Sequence, residues 1–374
     1  MGEKEILSIM KDNLILIEHS DKYKYDVYVD KEYKHKYFRS PEANYNFDIE
    51  TGVMVSWGRT LKDDAVKFPA PNILDIEIDE HCTGLRNDGV TCKFCYKSNT
   101  SISRGTMTFE EFKHIIDIYP KSLTQIAIGS SACLNTNPNI WRMMKYCREN
   151  HIVPNVTLAN VIDDKTADNL AKYCGAVAIS RYEDFDICAD SIKKLTDRGM
   201  TQVNIHLLIA EEYYDRCMDT LKRSISDERL SKLNAIVFLG LKKAGRGTSF
   251  NRMSDEHFQS LIDFAVKNNI RLGFDSCSSY RAIESLGKDI TSCVLDCEAS
   301  LQSSYINCRS EYSPCSFMEQ TPEWRHGISL KDINSPEEFI DKVWESERTE
   351  IFRQTLLKTS CNQLNCRTCP YYEV

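Results

Sequence analysis

The segment from Asn72 to Lys97 leaves this chain little freedom. It opens on an alternating apolar stretch, Ile73 to Ile78, which reads as a β-strand. The strand delivers Cys82 into a polar loop that holds Gly84, Asn87, Asp88 and Gly89. Cys92 and Cys95 follow at Cys-x-x-Cys spacing, with Tyr96 directly after. Three thiolates in one loop suit an iron–sulfur cluster, because cluster irons take cysteine ligands and a triplet leaves one iron open. The same spacing is half of many structural zinc sites and occurs in redox dithiols. From the loop alone, all three readings stand.

Cysteine usage along the rest of the chain favours metal. There are 16 cysteines in 374 residues, with no apolar run long enough to span a membrane and no signal peptide in the Met-Gly-Glu-Lys start. A cytoplasmic protein is expected, and a reducing compartment excludes a disulfide scaffold. Eight of the cysteines lie between Cys277 and Cys369. Five more (Cys133, Cys147, Cys174, Cys188 and Cys217) are scattered through helical patterns and read as small buried hydrophobes. A net charge of −8 argues against a nucleic-acid surface.

Residues 1–70 are rich in aromatics and short alternations, and are expected to form a small β-rich segment that packs on the main domain. From Asn72 to Asp275 strand and helix alternate. The strands are expected at 124–128, 154–158, 176–180, 202–209, 235–239 and 271–274. Thr108 with Glu111 forms a capping box, and Gly199 stops a helix. Regular alternation means a parallel sheet, and helices on one side of a curling sheet make it an α/β fold, a partial (β/α)6 TIM-like barrel. Chemistry in such barrels sits at the carboxyl ends of strands, where Cys82, Gly129, Ser180 and Gly240 would converge. Residues 276–334 show no helical periodicity. Ser335-Pro336 then starts a helix expected to run to about Leu357, and the tail carries Cys361, Cys366 and Cys369. Three parts follow: 1–70, 71–275 and a cysteine-rich extension, 276–374.

These residues resemble a known family. A strand, a cysteine triplet ending in Cys-x-x-Cys-aromatic, and a strand–helix series over residues 72–369 are similar to the radical S-adenosylmethionine (SAM) enzymes. The cysteine-rich C-terminal region resembles the extensions called SPASM or twitch domains. Two departures are plain. The commonest family spacing is Cys-x3-Cys-x2-Cys, whereas nine residues separate Cys82 from Cys92 here. Where the family often has Gly-Gly-Glu at the second strand, this chain has Gly129, Ser130 and Ser131.

The resemblance implies that Cys82, Cys92 and Cys95 hold a [4Fe–4S] cluster whose fourth iron takes SAM. Tyr96 would lie along the adenine. Gly129, Ser130 and Ser131 would meet the methionine amino group, and Ser180 and Arg181 the ribose and carboxylate. His206 and Lys242 would face the same pocket, each with an equally plain reading as an ordinary strand residue or loop cation. Cys277, Cys297, Cys315, Cys361, Cys366 and Cys369 would supply at least one auxiliary [4Fe–4S] cluster, with zinc at the tail triplet as the competitor. An electron donor such as flavodoxin or ferredoxin is implied. The expected activity is hydrogen abstraction from a peptide or protein side chain. The alternatives are radical chemistry on a small molecule or nucleotide, and a zinc-stabilised binding module without catalysis.

Overall fold

The computed structural model describes residues 13–84, 88–102, 105–129, 134–287, 296–358 and 369–372. Its first element is a five-stranded antiparallel meander, β1 (Leu14–Ser20), β2 (Tyr25–Asp30), β3 (His35–Arg39), β4 (Asn44–Asp48) and β5 (Met54–Trp57). Alternation decides which face is buried: Tyr25, Val27 and Val29 of β2 point inward. That face meets the amino-terminal ends of the barrel strands. The Lys36 ammonium donates to the Leu123 carbonyl at 2.6 Å, the Tyr45 hydroxyl to that of Ser122 at 2.6 Å, and Arg148 to that of Ile49 at 2.6 Å. The meander therefore closes the floor of the barrel, on the side away from the cysteines.

The barrel is an open sheet. Its strands in chain order are β6 (Ile73–Glu77), β7 (Gln125–Gly129), β8 (Val153–Leu158), β9 (Val177–Ser180), β10 (Val203–Ile209), β11 (Ala235–Gly240) and β12 (Leu272–Phe274), all parallel. Helices α1 (Phe109–Ile118), α2 (Ile140–Glu149), α3 (Asp164–Tyr173), α4 (Phe185–Thr196), α5 (Tyr214–Ser226) and α6 (Asp255–Lys267) alternate with them. The expected capping box forms at Thr108 and Glu111, and Asp163 and Ser254 cap α3 and α6. Ile76, Ile128, Val156, Ile179, Ile205 and Phe238 are buried under the helices. In register on the opposite face lie Asp75, Ala127 and Asn155, then Ser180 and His206. Ala127, Gly129 and Thr157 are exposed, so this polar face lines an open lumen.

The extension departs from expectation in three places. Helix α7 (Ser279–Leu286) occupies part of the stretch read as irregular, stopping at Gly287 with φ +91°. The hairpin β13 (Ser303–Ile306) and β14 (Glu311–Ser313), with β15 (Ile328–Ser329), joins the main sheet: β13 lies parallel to β6, pairing Tyr305 with Asp75. The single helix expected after Ser335 is instead α8 (Pro336–Phe339), a π-helical turn Ile340–Trp344, and α9 (Glu347–Lys358). The break lets Arg353 enter the core, where it donates to the Ser300 carbonyl at 2.6 Å and to that of Trp344. No helix among the described residues is long and apolar enough to cross a membrane.

Candidate metal centres at the carboxyl end of the barrel

Cys82, Cys92 and Cys95 stand in the loop that follows β6, as the strand–loop order requires. Cys82 is buried, and its backbone N–H donates to the Thr100 carbonyl at 2.8 Å. The thiols share one site: burial pushes Cys92 up to about 12, and the charges of Cys95 and Cys82 push in the same direction. A second loop, after β11, clamps this one. Arg246 donates from Nε to the Cys92 carbonyl at 2.9 Å, and from Nη2 to Thr91 Oγ1 at 3.1 Å and the Asn99 carbonyl at 3.0 Å. Its backbone N–H reaches the Cys95 carbonyl at 3.0 Å. The adjacent Gly245, at φ +52°, sits so close that a Cβ there would lie 2.2 Å from the Tyr96 carbonyl oxygen.

Tyr182, two residues beyond β9, hydrogen-bonds both Ser180 and Cys92, and its ring meets Phe94 edge-on at 4.9 Å. No local pattern in the sequence marks Tyr182 or Arg246, whose partners lie in other loops. Of the other expected cofactor residues, Tyr96 lies in the site with its ring 4.6 Å from Phe317. Gly129 pairs with Glu77, and a Cβ there would lie 3.4 Å from the Ile76 carbonyl oxygen. Ser180 and His206 are register partners on the lumen side. Burial pushes the His206 imidazole down to about 4, against the opposing pull of Asp275, so the ring is neutral at physiological pH.

Arg181 is not brought into the lumen. Successive side chains on a strand alternate, so with Ser180 inward Arg181 turns to the helices, over the Phe185 ring at 5.5 Å and 3.8 Å from Asp219 of α5. Ser130 and Ser131 lie outside the described residues.

A second set of thiols gathers where the extension meets the barrel. Cys277 follows β12, Cys297 precedes β13, Cys315 follows β14, and Cys369 comes from the tail. Burial pushes Cys297 well above the usual thiol range, and Cys277, Cys315 and Cys369 all add to the shift. Cys315 is pushed up to about 12 by burial, then by Cys277 and Cys369. Cys361 and Cys366, also expected here, lie outside the described residues. Among the described residues, neither set draws three sulfurs within 4.8 Å of one another. A single zinc with bonds of about 2.3 Å would hold its sulfurs closer, at about 4 Å. A cluster takes one thiolate per iron and spreads them. The donor sets fit clusters of three and four cysteines.

Between the two sets runs a buried ion-pair network. Lys97 contacts Glu77 at 3.1 Å, Glu319, and the Tyr305 hydroxyl at 2.9 Å, while the Tyr305 hydroxyl reaches Glu77 at 3.1 Å. Arg309 holds Glu80 at 2.8 Å. Cys308 lies within 4.8 Å of Glu77 and Glu80 rather than with the other C-terminal thiols. The scattered Cys147, Cys174, Cys188 and Cys217 are buried, as expected, while Cys133 lies outside the described residues.

Two solved structures of SuiB from Streptococcus suis share this architecture. The one bound to the precursor peptide SuiA superposes with a TM-score of 0.60 at 15% identity, over 80% of this chain and 70% of SuiB. The one bound to S-adenosylmethionine gives 0.59 at 16% identity, over 80% and 73%. No protein-family model matches the chain. No curated protein matches it either. The parallel sheet and its outer helices give this chain the fold of SuiB, a partial TIM-like barrel.

Proposed function

We propose that this chain is a radical SAM enzyme that oxidises a peptide or protein side chain. The observation that carries the reading is the pairing of a three-cysteine set, Cys82, Cys92 and Cys95, with a set of four among the described residues, Cys277, Cys297, Cys315 and Cys369. Cys82, Cys92 and Cys95 would hold a [4Fe–4S] cluster, which together with SAM would supply hydrogen-abstraction chemistry. The chain's own residues prepare that place. Arg246 and Gly245 fix the course of the cysteine loop, and the Tyr182 hydroxyl donates to Cys92. Phe94, Tyr182 and Tyr213 pack edge-to-face beside the loop and keep water from it. His206, neutral, offers the lumen a hydrogen-bonding group without a charge. Four thiolates leave no iron open for a substrate, which suits the second set to accepting an electron.

Support for a peptide substrate comes from the SuiB structure with its bound precursor peptide and from the open lumen. Anaerobic reconstitution is the test. The expected protein binds about eight irons per chain and releases 5′-deoxyadenosine when SAM and a reductant are added. Cys92→Ala abolishes that release, while Cys315→Ala keeps uncoupled cleavage but stops product formation. A colourless protein holding only zinc overturns the reading. Coexpression with short peptides encoded beside its gene tests the substrate class: loss of two hydrogens in a peptide's mass supports it, and unchanged peptides beside active SAM cleavage refute it.

A further inference from the structure

Lys242 stands two residues beyond β11 and is 7% exposed, which is exceptional for a lysine. Its ammonium is ion-paired with Asp275 and lies 5.0 Å from the Phe317 ring centroid. Asp275 stands two residues before Cys277 and Phe317 two residues after Cys315, so the ammonium sits between the segments that carry two of the four C-terminal thiols, and its charge acts on both. Asp275 does more than neutralise it. Its Oδ1 accepts from the backbone N–H groups of Gly240 at 3.3 Å and Ser278 at 3.1 Å, holding the loop that carries Cys277. Three residues after Lys242, Gly245 and Arg246 grip the other cysteine loop. One short turn thus touches both thiol sets.

We infer that Lys242 is the fixed counter-charge of the auxiliary cluster, and that it raises the cluster's reduction potential so that the cluster can take the electron released when the substrate radical forms its product. This inference rests on the proposed radical SAM reading. Reduction adds one negative charge to a centre already surrounded by four thiolates. A buried cation beside the sulfurs stabilises the reduced form, and a buried carboxylate opposes it. The electron balance is complete: the substrate radical loses one electron and one proton as its new bond forms. The auxiliary cluster accepts the electron and passes it to an oxidised flavodoxin- or ferredoxin-type carrier, the reduced carrier returns one electron to the SAM site, and the proton leaves to solvent, so each turnover consumes no net electron.

The test uses the full chain, reconstituted with iron and sulfide in a background of Cys82→Ala, Cys92→Ala and Cys95→Ala, so that only the auxiliary cluster is read. A redox titration followed by EPR gives its midpoint. Lys242→Met is expected to lower the reduced-to-oxidised ratio at the parent's midpoint at least about tenfold, equal to 59 mV for one electron. Asp275→Asn, which keeps the accepting oxygen, is expected to shift the midpoint the opposite way, and the double variant to return near the parent. Background protein that binds no cluster removes the reading on which the inference rests. A cluster whose midpoint is the same in parent, Lys242→Met and Asp275→Asn overturns the inference alone. Should Lys242→Met fail to hold iron, the sign of the Asp275→Asn shift decides, an unchanged or lower midpoint refuting it.

Discussion

Gly245→Ala is the sharpest test of how the first cysteine loop is held. At φ +52° an alanine costs about 1–2 kcal/mol in the left-handed region. Its methyl would also lie 2.2 Å from the Tyr96 carbonyl oxygen, 2.7 Å from that carbonyl carbon and 2.8 Å from the Cys95 oxygen. All three neighbours are backbone, so no side chain can swing aside, and overpacking adds about 1–3 kcal/mol, here toward the upper end. Lost freedom in the unfolded chain returns about 0.4–1 kcal/mol. The net cost is about 3–4 kcal/mol. Gly199 is the control: its φ is +86°, but nothing lies within 4 Å of a Cβ there, so Gly199→Ala costs about 1 kcal/mol or less. At about 1.3 °C per kcal/mol for a chain of 374 residues, the two variants should melt about 3–4 °C apart. Iron bound after reconstitution should fall in Gly245→Ala and be unchanged in Gly199→Ala. If both melt together with a full iron complement, the turn after β11 does not position the cysteines.

Two further outcomes follow from the buried charges. Lys97→Met leaves Glu77 without its cation beside Glu319, which keeps only Arg309 at 3.4 Å, and with the Lys97, Glu77 and Glu319 side chains 8% exposed the loss is expected to be about 3 kcal/mol, read as a fall in Tm. Lys113→Met, which breaks an exposed helical pair with Asp117, should leave Tm unchanged. For His206, the folded-state value of about 4 lies below the unfolded value of about 6.5, so the unfolded chain binds the proton more readily. Its contribution to stability is complete above pH ~6.5 and is lost as pH falls toward ~4. His206→Gln should flatten the stability–pH curve across that window in urea melts. An unaltered slope would show that the ring titrates as it does in water.

The parallel sheet could be read from the sequence because each strand buries one alternating face under helices, and Ile76, Ile128 and Ile205 mark that face even in isolation. The place of the cysteine loop at the end of a strand was equally legible, its three cysteines falling within fourteen residues. For the second thiol set the family resemblance named six candidates, of which Cys277, Cys297, Cys315 and Cys369 lie near one another among the described residues. Which four meet depends on β13 pairing with β6, a contact between residues more than two hundred positions apart that no local pattern announces. Strand parity does predict that Ser180 and Arg181 face opposite ways, so the outward turn of Arg181 had a signal in the sequence. Tyr182, Arg246 and the Lys97 network had none, because their partners come from distant loops.

Because β13 hydrogen-bonds directly to β6, the C-terminal extension is woven into the same ribbon that presents the first cysteines. The segments that carry Cys82 and Cys297 cannot swing relative to one another without tearing main-chain bonds. Grafting the tail onto another barrel would therefore require a recipient whose first strand offers a vacant flank. A truncation upstream of Ser303 would bare a sticky seam rather than release a tidy catalytic core.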